Sequence, residues 1–443
     1  MRYLILGNSA AAVAAVDAIR SLDREGTVAM VSPEPFLAYG RPLISYVLEG
    51  KTDLAHAGVR DEGWYLNNAV ERHFGAGKAA VSLDASERLV TLEDGTRLPY
   101  DKLLVATGSV PTRPAVEGLP DDAPNSFLFN SMEDALAIEA YVDGELARKR
   151  AAGSPVRAVV SGSGLIGAKA AEGVASHADA VYLVGHAARP LRKLLDDEAA
   201  PMLVEVLERH GVVNVPGTVV ASSETDARGR VVSVTLDDGR ELPCDMLVTA
   251  IGVQPNTALL ASAGAEVTRG AVVDERQRTS LPDVYAAGDV ANAHNLLSGD
   301  DVPLALWPTA SEQGRVAGLA MAGDESAAFE GSFARNAVGF FDEIGIVGCG
   351  IINPSSDQPD VESVVECDGR TYGKFNVRDG KLVGYLLMNR PDSAGVYTTL
   401  IREGIPLDEL PDDVFERAPE MLDLPKAFRT RVMLKGYRGE GRA

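Results

Sequence analysis

Two short glycine-bearing runs stand where backbone N–H groups can meet a phosphate. Gly7-Asn-Ser9-Ala10-Ala-Ala12 follows the apolar run Arg2 to Leu6 and opens a stretch in which Val13, Val16 and Ile19 repeat at helical spacing. Strand, tight turn and helix N-terminus thus come in that order. Gly162-Ser-Gly164-Leu165-Ile166-Gly167 repeats the arrangement after Val156 to Ser161, here with all three glycines of the G-x-G-x-x-G pattern. The chemistry this suits is pyrophosphate recognition, because unpaired N–H groups and the positive end of the helix macrodipole both face the anion. In the first run Ser9 and Ala12 replace the second and third glycines, so the strand-to-helix context carries the assignment. The plainer alternative there is a tight turn in a hydrophobic sheet.

Acidic residues complete the pattern at two places. Glu34 ends the strand Val28 to Val31, where a carboxylate can accept hydrogen bonds from ribose hydroxyls. Val284-Tyr-Ala-Ala-Gly288-Asp289 runs an apolar strand into a Gly-Asp pair, which lets the backbone approach a phosphate while Asp289 accepts from a sugar-like hydroxyl. The strand end Ala106-Thr107-Gly108 belongs to the same constellation. In the second unit the strand Val181 to Val184 ends in Gly185-His186, with no acid, and Arg189 follows. Two readings stand for His186 and Arg189: holding a 2′-phosphate, or forming a solvated loop.

The elements that must position these residues form two β-α-β units, and a second repeat points to duplication. Asp94-Gly-Thr-Arg-Leu-Pro-Tyr-Asp-Lys-Leu-Leu-Val-Ala-Thr-Gly108 parallels Asp238-Gly-Arg-Glu-Leu-Pro-Cys-Asp-Met-Leu-Val-Thr-Ala-Ile-Gly252. In each copy the Asp-Gly pair predicts a hairpin turn, and the apolar run after it predicts a buried parallel strand. Pro-rich breaks at 111–124 and around Gln254-Pro255-Asn256 mark linkers. The run from Asp324 to Gly331 separates a last segment whose alternation near Ser363 to Val365 and Lys374 to Leu387 predicts a small α+β domain.

Composition narrows the function classes. The formal net charge of -22 repels nucleic acid and anionic membrane surfaces. The three cysteines, Cys244, Cys349 and Cys367, have no C-x-x-C spacing, which argues against a cluster or a local redox disulfide and fits a reducing cytoplasm. Six histidines lack metal-ligand spacing, so no metal site is expected. Gly7-Asn-Ser9 interrupts the apolar opening, which reads as structure and not as a signal peptide, and no run reaches membrane-span length.

With these residues in view, the sequence resembles the pyridine nucleotide-disulfide oxidoreductase superfamily over its whole length. Val31-Ser-Pro-Glu-Pro-Phe-Leu-Ala-Tyr-Gly-Arg-Pro-Leu-Ile-Ser45 is similar to the branch containing rubredoxin, ferredoxin and nitrite reductase flavoproteins. The resemblance implies an α/β fold with two Rossmann-like domains: FAD-binding 1–112 and 250–329, NAD(P)-binding 113–249, and an α+β interface domain 330–443 through which the chain forms homodimers. It implies an FAD-dependent NAD(P)H oxidoreductase passing hydride from NADH or NADPH to FAD and single electrons to a carrier such as rubredoxin or ferredoxin. The alternatives are an NAD(P)H oxidase that reduces oxygen and a flavoprotein subunit of a larger electron-transfer complex.

The resemblance also assigns residues. Glu34 binds the adenosine ribose, Arg41 and Pro42 lie along the diphosphate and ring, the Ala80 backbone reaches adenine, and Asp289 binds the ribityl chain. Gly252 ends the strand that matches Gly108. Trp307-Pro308-Thr309 caps a helix, Ala310 to Ala317, whose N-terminus points at the flavin pyrimidine edge, although Trp307 also suits a plain core position. Two departures stand out. Tyr39 to Gly50 contains no cysteine, which excludes a flavin-linked thiol there, and Ser45-Tyr46 replaces the usual Ser-Lys. Lys169 stands two residues after Gly167, where disulfide-reducing relatives carry a Glu that pairs with a Lys beside the flavin. Either Lys169 reaches outward to water, or it faces the flavin, pairs with Glu49 and joins Tyr46 in the catalytic group. The basic end, Lys426, Arg429, Arg431, Lys435, Arg438 and Arg442 against Glu440 alone, suits a solvated tail or a dock for an acidic carrier.

Overall fold

A computed structural model describes residues 1–437, with side chains through residue 432. The chain opens with strand β1 (Arg2–Leu6), helix α1 (Ala10–Leu22) and strand β2 (Thr27–Ser32), followed by the short helix α2 (Ile44–Leu48) and strand β3 (Val70–Phe74). A three-stranded antiparallel sheet, Ala80–Asp84, Leu89–Leu92 and Arg97–Pro99, turns at Asp94-Gly95 and leads into β4 (Lys102–Val105), parallel to β1. Strand β5 (Ser109–Pro111) carries the chain out of this module.

The inserted module repeats the plan. It contains β6 (Arg157–Ser161), α3 (Leu165–Ala175) and β7 (Ala180–Gly185). A second antiparallel sheet, Val220–Thr225, Val231–Leu236 and Glu241–Pro243, turns at Asp238-Gly239 and feeds β8 (Met246–Thr249), parallel to β6. Both hairpin-then-parallel-strand copies therefore fold as the repeated sequence predicts. The chain returns along β9 (Val253–Pro255), which pairs antiparallel with β5, so the two Pro-rich breaks meet in a two-stranded ribbon at Pro111 and Gln254-Pro255. Strand β10 (Val284–Ala286) completes a parallel sheet of order β10-β4-β1-β2-β3, and α4 (Trp307–Met321) follows.

Strand alternation divides the first sheet's side chains between two cores. Tyr3, Ile5, Val28, Met30, Leu104 and Tyr285 face α1 and α4; Leu4, Leu6, Leu103, Val105 and Val284 face the antiparallel sheet through Leu83, Val90 and Leu92. Helices α1 and α4 lie backbone to backbone: an ideal Cβ on Gly314 would sit 2.1 Å from the Ala11 carbonyl oxygen, and one on Gly318 2.4 Å from that of Ala15. Small residues on both helices permit that approach.

Residues 1–190 and 207–332 form one compact unit; residues 191–206 and 333–443 form the other. The second unit holds an antiparallel sheet in the spatial order Arg335–Phe340, Ile344–Gly350, Lys381–Met388, Tyr372–Arg378, Glu362–Cys367, with helices Ala394–Glu403 and Lys426–Tyr437. Segment 191–206 is fastened there: Asp196 accepts from Tyr372 Oη at 2.7 Å and from Lys374 Nζ at 3.0 Å. Of the basic end, Arg431 pairs with Glu403 and Arg429 donates to the Leu424 carbonyl. Arg438, Glu440 and Arg442, with the Lys435 side chain, lie outside the described residues.

Gly314→Ala is expected to destabilise the first unit by about 1–3 kcal/mol in urea unfolding, because backbone and not a flexible side chain fills the space. Gly395→Ala, in a helix with open space around it, is the contrast and should stabilise by up to about 1 kcal/mol.

Candidate functional site

Each phosphate turn is closed by a contact that only glycine permits. Gly7 has φ +134°, and an ideal Cβ there would fall 2.2 Å from the Ala106 carbonyl oxygen at the end of β4. Gly162, with φ +117°, stands in the same relation to Ala250 after β8, again at 2.2 Å, and a Cβ on Gly167 would meet the Gly162 oxygen at 1.7 Å. Helices α1, α3 and α4 begin with N-caps Ser9, Gly164 and Leu306, none of which makes a side-chain capping bond, and none of the three has an acidic residue in its first turn. Their first-turn N–H groups thus lack the side-chain acceptor that usually serves them, as an anion-binding terminus requires. Beside the second turn the apolar side chains of Ile166 and Ile251 are exposed. Leu165 opens α3 beside Ile166 and is half-buried.

A charged group surrounds the first turn. Asp289 accepts from Ser109 Oγ at 2.9 Å, and burial raises its pKa against the opposing influence of that hydrogen bond and of Arg41. The preceding Gly288, φ +81°, has Cβ space bounded by Ala11 at 3.4 Å and Ala310 at 3.5 Å, which sets it between the first turns of α1 and α4. Its N–H donates to Gln313 Oε1 at 3.0 Å. Glu34 is ion-paired with Arg41 and accepts from Tyr39 Oη at 2.5 Å; Arg41 also donates to the Asn130 carbonyl at 3.1 Å. Tyr39 Oη in turn accepts from the Met132 N–H at 3.0 Å, tying the loop to the inserted module. Pro42 is exposed in the single turn before α2, where the buried Ser45 Oγ has no hydrogen-bond partner.

Other expected residues lie on neighbouring elements. Ala80 lies in the antiparallel sheet opposite Leu92 and packs on the core shared with the parallel sheet. Thr107 Oγ1 donates to the Asn256 carbonyl at 3.2 Å, and Gly108 and Gly252, both at positive φ, precede the paired ribbon strands. Trp307-Pro308-Thr309 does not cap a helix ending at Ala317. These residues are the first turn of α4, which runs to Met321, because a proline at that position forfeits only an N–H that has no helical partner. Trp307 packs on the core, and Thr309 is hydrogen-bonded to Ser332 at 2.8 Å.

Lys169 does not reach outward. Its side chain is 11% exposed, lies 3.2 Å from Glu49 and pairs with Glu172; its Nζ stands 4.6 Å above the Tyr46 ring. Lys51 reaches Glu49 from the other side at 3.0 Å. Two ammonium and two carboxylate groups therefore close on one another at the packing of α2 on α3, where the Gly173 Cβ position abuts Leu48. No cysteine is among them. Cys244 sits in the inserted module's core, its thiol pushed up to about 12 by burial, and Cys349 and Cys367 lie on the C-terminal sheet.

These features fit an extended dinucleotide at the first turn: Cβ-free backbone, helix ends without caps, an arginine, and a buried carboxylate with spare acceptor capacity. Comparison with known proteins decides the family, since the model of the pyridine nucleotide-disulphide oxidoreductases matches residues 1–314. The chain belongs to that family. It is accordingly an FAD-dependent NAD(P)H oxidoreductase. It is similar to the epsilon subunit of NADH-dependent phenylglyoxylate dehydrogenase of Aromatoleum evansii, 33% identical over 407 residues, covering 90% of this chain and 91% of that one. Rubredoxin-NAD(+) reductase of Pseudomonas putida is 29% identical over 332 residues, with 74% and 82% covered. Among solved structures, the covalent putidaredoxin reductase–putidaredoxin complex gives a TM-score of 0.81 at 24% identity, covering 95% and 96%. Among the described residues no group of three or more His, Cys, Asp and Glu side chains could hold a metal ion, and no helix is long and apolar enough to cross a membrane.

Sequence inspection missed Tyr39, Ser109, Gln313 and Glu172. Glu172 alone had a signal, its i,i+3 spacing from Lys169; the others meet their partners only through tertiary contact.

Asp289 supplies a test with opposite signs. Its folded pKa is raised, so its ionisation costs the flavin-free fold nothing below the unfolded Asp range and the full penalty once pH passes the raised value. Asp289→Asn should raise the Tm of flavin-free protein at pH 8, with the gain shrinking as pH falls, while weakening FAD retention by roughly tenfold or more, the effect of one charge-assisted hydrogen bond.

Proposed function

We propose that this oxidoreductase takes hydride from NAD(P)H at the second dinucleotide turn and passes the electrons, one at a time, to a protein carrier of the rubredoxin or ferredoxin kind. The observation that carries this is the thiol-free surroundings of α2. Residues 39–50 hold no cysteine, and a buried set of charges occupies the packing of α2 on α3. Electrons leaving the site therefore have no protein disulfide to reduce. FAD, when bound, supplies the two-electron to one-electron conversion, and the overall step balances as one NAD(P)H giving NAD(P)⁺ and a proton while two carriers each gain an electron.

The chain's own residues then bind, orient and neutralise. The α1 terminus and Arg41 would hold the flavin diphosphate, Glu34 would accept from the adenosine ribose, and Asp289 would accept from the ribityl chain. Lys169, paired with Glu49 and Glu172 and seated on Tyr46, would place positive charge toward a bound flavin. The Leu165–Gly167 turn receives the nicotinamide dinucleotide, with Ile166 and Ile251 offering apolar contact to the ring.

A second reading has its own support. A relative matched over about nine-tenths of both chains is named as a subunit of an NADH-dependent dehydrogenase, which favours a fixed partner subunit over a diffusing carrier. Association of copies through the C-terminal sheet belongs to the same proposal and is checked by sedimentation.

Stopped-flow reduction by NADH and NADPH, followed by reoxidation with rubredoxin, ferredoxin and oxygen, tests the scheme. Fast reduction with carrier reoxidation outrunning oxygen is expected; oxygen matching the carriers would make the protein an oxidase, and stoichiometric copurification of iron-sulfur subunits would make it a complex component. Lys169→Met should slow flavin reduction at saturating NAD(P)H, about tenfold for each 1.4 kcal/mol lost, and lower the flavin potential. Because that change takes one cation from two buried carboxylates, Lys169→Met with Glu172→Gln keeps the test readable.

A further inference from the structure

Each oxygen of the Glu34 carboxylate is gripped by a side chain that also reaches the inserted module. Arg41 pairs with Oε1 and donates to the Asn130 carbonyl at 3.1 Å, while Tyr39 Oη donates to Oε2 at 2.5 Å and accepts from the Met132 N–H at 3.0 Å. The direction of the Tyr39 bonds follows from their partners. A backbone N–H can only donate and an ionised carboxylate can only accept, so the phenolic proton lies toward Glu34. Tyr39 is 4% exposed and its ring lies 5.5 Å from the Arg41 guanidinium, so packing keeps the hydroxyl on this line.

The donor at the far end is equally fixed. Met132 opens the helix Met132–Tyr141, whose start is a reciprocal cap: the Asp134 N–H donates to Ser131 Oγ at 3.1 Å, and the Asp134 carboxylate accepts from the N–H groups of Ser131 at 2.8 Å and Asn130 at 2.9 Å. Three successive N–H groups, those of Asn130, Ser131 and Met132, are thus each committed, the last of them to Tyr39. An ionised carboxylate has about four lone-pair positions, and Tyr39 and Arg41 engage one on each oxygen of Glu34. One position on each oxygen is left, the number that the two hydroxyls of a ribose require. The Glu34 side chain is 15% exposed, shielded but within reach of a ligand.

We propose that Tyr39 is a positioning residue for FAD. It aims the Glu34 carboxylate at the adenosine ribose, and because its own oxygen is held by Met132, the inserted module completes a cofactor subsite built on the first. The inference rests on the assignment of Glu34 to that ribose and deepens it by naming what orients the carboxylate.

The test titrates flavin onto the flavin-free full-length chain and sets FAD against FMN, which lacks the adenosine. Tyr39→Phe removes the hydroxyl and keeps the ring. It should weaken FAD about tenfold, the effect of one charge-assisted hydrogen bond, and leave FMN within about twofold of the wild type. In a Glu34→Ala background the same change should cost FAD nothing further, since no carboxylate is left to aim. Met132→Pro deletes the N–H at a position where helices accept proline, and should lower the FAD-to-FMN affinity ratio below that of Met132→Ala, which loses the same packing but keeps the N–H. Equal losses of FAD and FMN in Tyr39→Phe, or the same FAD loss with and without Glu34, would make Tyr39 a structural tie and overturn the inference. Identical ratios in the two Met132 variants would overturn the part given to the inserted module. If Glu34→Ala alone keeps the wild-type preference for FAD over FMN, the ribose assignment itself is lost.

Discussion

The two glycine turns that open α1 and α3 each depend on two main-chain atoms being allowed to come close. Gly7 must pass the Ala106 carbonyl, and Gly162 that of Ala250, at distances no side-chain-bearing residue tolerates. Only then does a helix begin immediately beyond the strand ends, with its N–H groups clear. The same economy of bulk recurs where α4 lies on α1 through Gly314 and Gly318, and where Gly288 fits between Ala11 and Ala310. Close packing transmits such constraints without slack, so the first helix is aimed from three sides by atoms that cannot be enlarged.

The fold was legible in the sequence because its signals are local. A strand, a glycine turn and a helical period lie within some twenty residues, and the Asp94 and Asp238 repeats announce a second copy by sequence alone. Site chemistry was legible to the extent that it sits on those same local runs: Gly7, Gly162 and Asp289 could be picked out, whereas Tyr39 and Ser109 could not. Tyr39 meets Glu34 within its own loop, but its tie to Met132 spans 93 residues and that of Ser109 to Asp289 spans 180, and no periodicity encodes such a meeting. The length of α4 was missed for a related reason. Pro308 reads as part of a cap before the helix, but in a first turn it costs the helix nothing. The fate of Lys169 needed the structure too, since an exposed lysine and a buried, triply engaged one are written with the same letter.

The cluster around Lys169 shows how polarity can be rearranged without loss of balance. Lys169 and Lys51 bring two positive charges against those of Glu49 and Glu172, and Tyr46 offers its ring face to both ammonium groups, at 4.6 and 5.9 Å. Lys51 remains exposed, but desolvating the other three charges is costly, and only mutual pairing makes it tolerable. Ties of this kind favour one relative placement of the two helices, because a shifted helix would leave an unmatched charge in a place water reaches poorly.

The ribbon of β5 and β9 has a consequence for how the protein is made. Ser109 and Pro255 are neighbours across that ribbon, so the inserted module begins and ends at one point and can close on itself while still attached to the ribosome. The first module cannot. Strand β10 and helix α4 emerge only after residue 283, and until then β4 lacks its outer neighbour and the Ala11–Ala15 face of α1 has nothing to lie against. Vectorial synthesis thus reverses the order written in the chain: the parallel sheet of the second dinucleotide fold has all its strands before that of the first, while segment 191–206 finds its partners only in the C-terminal sheet.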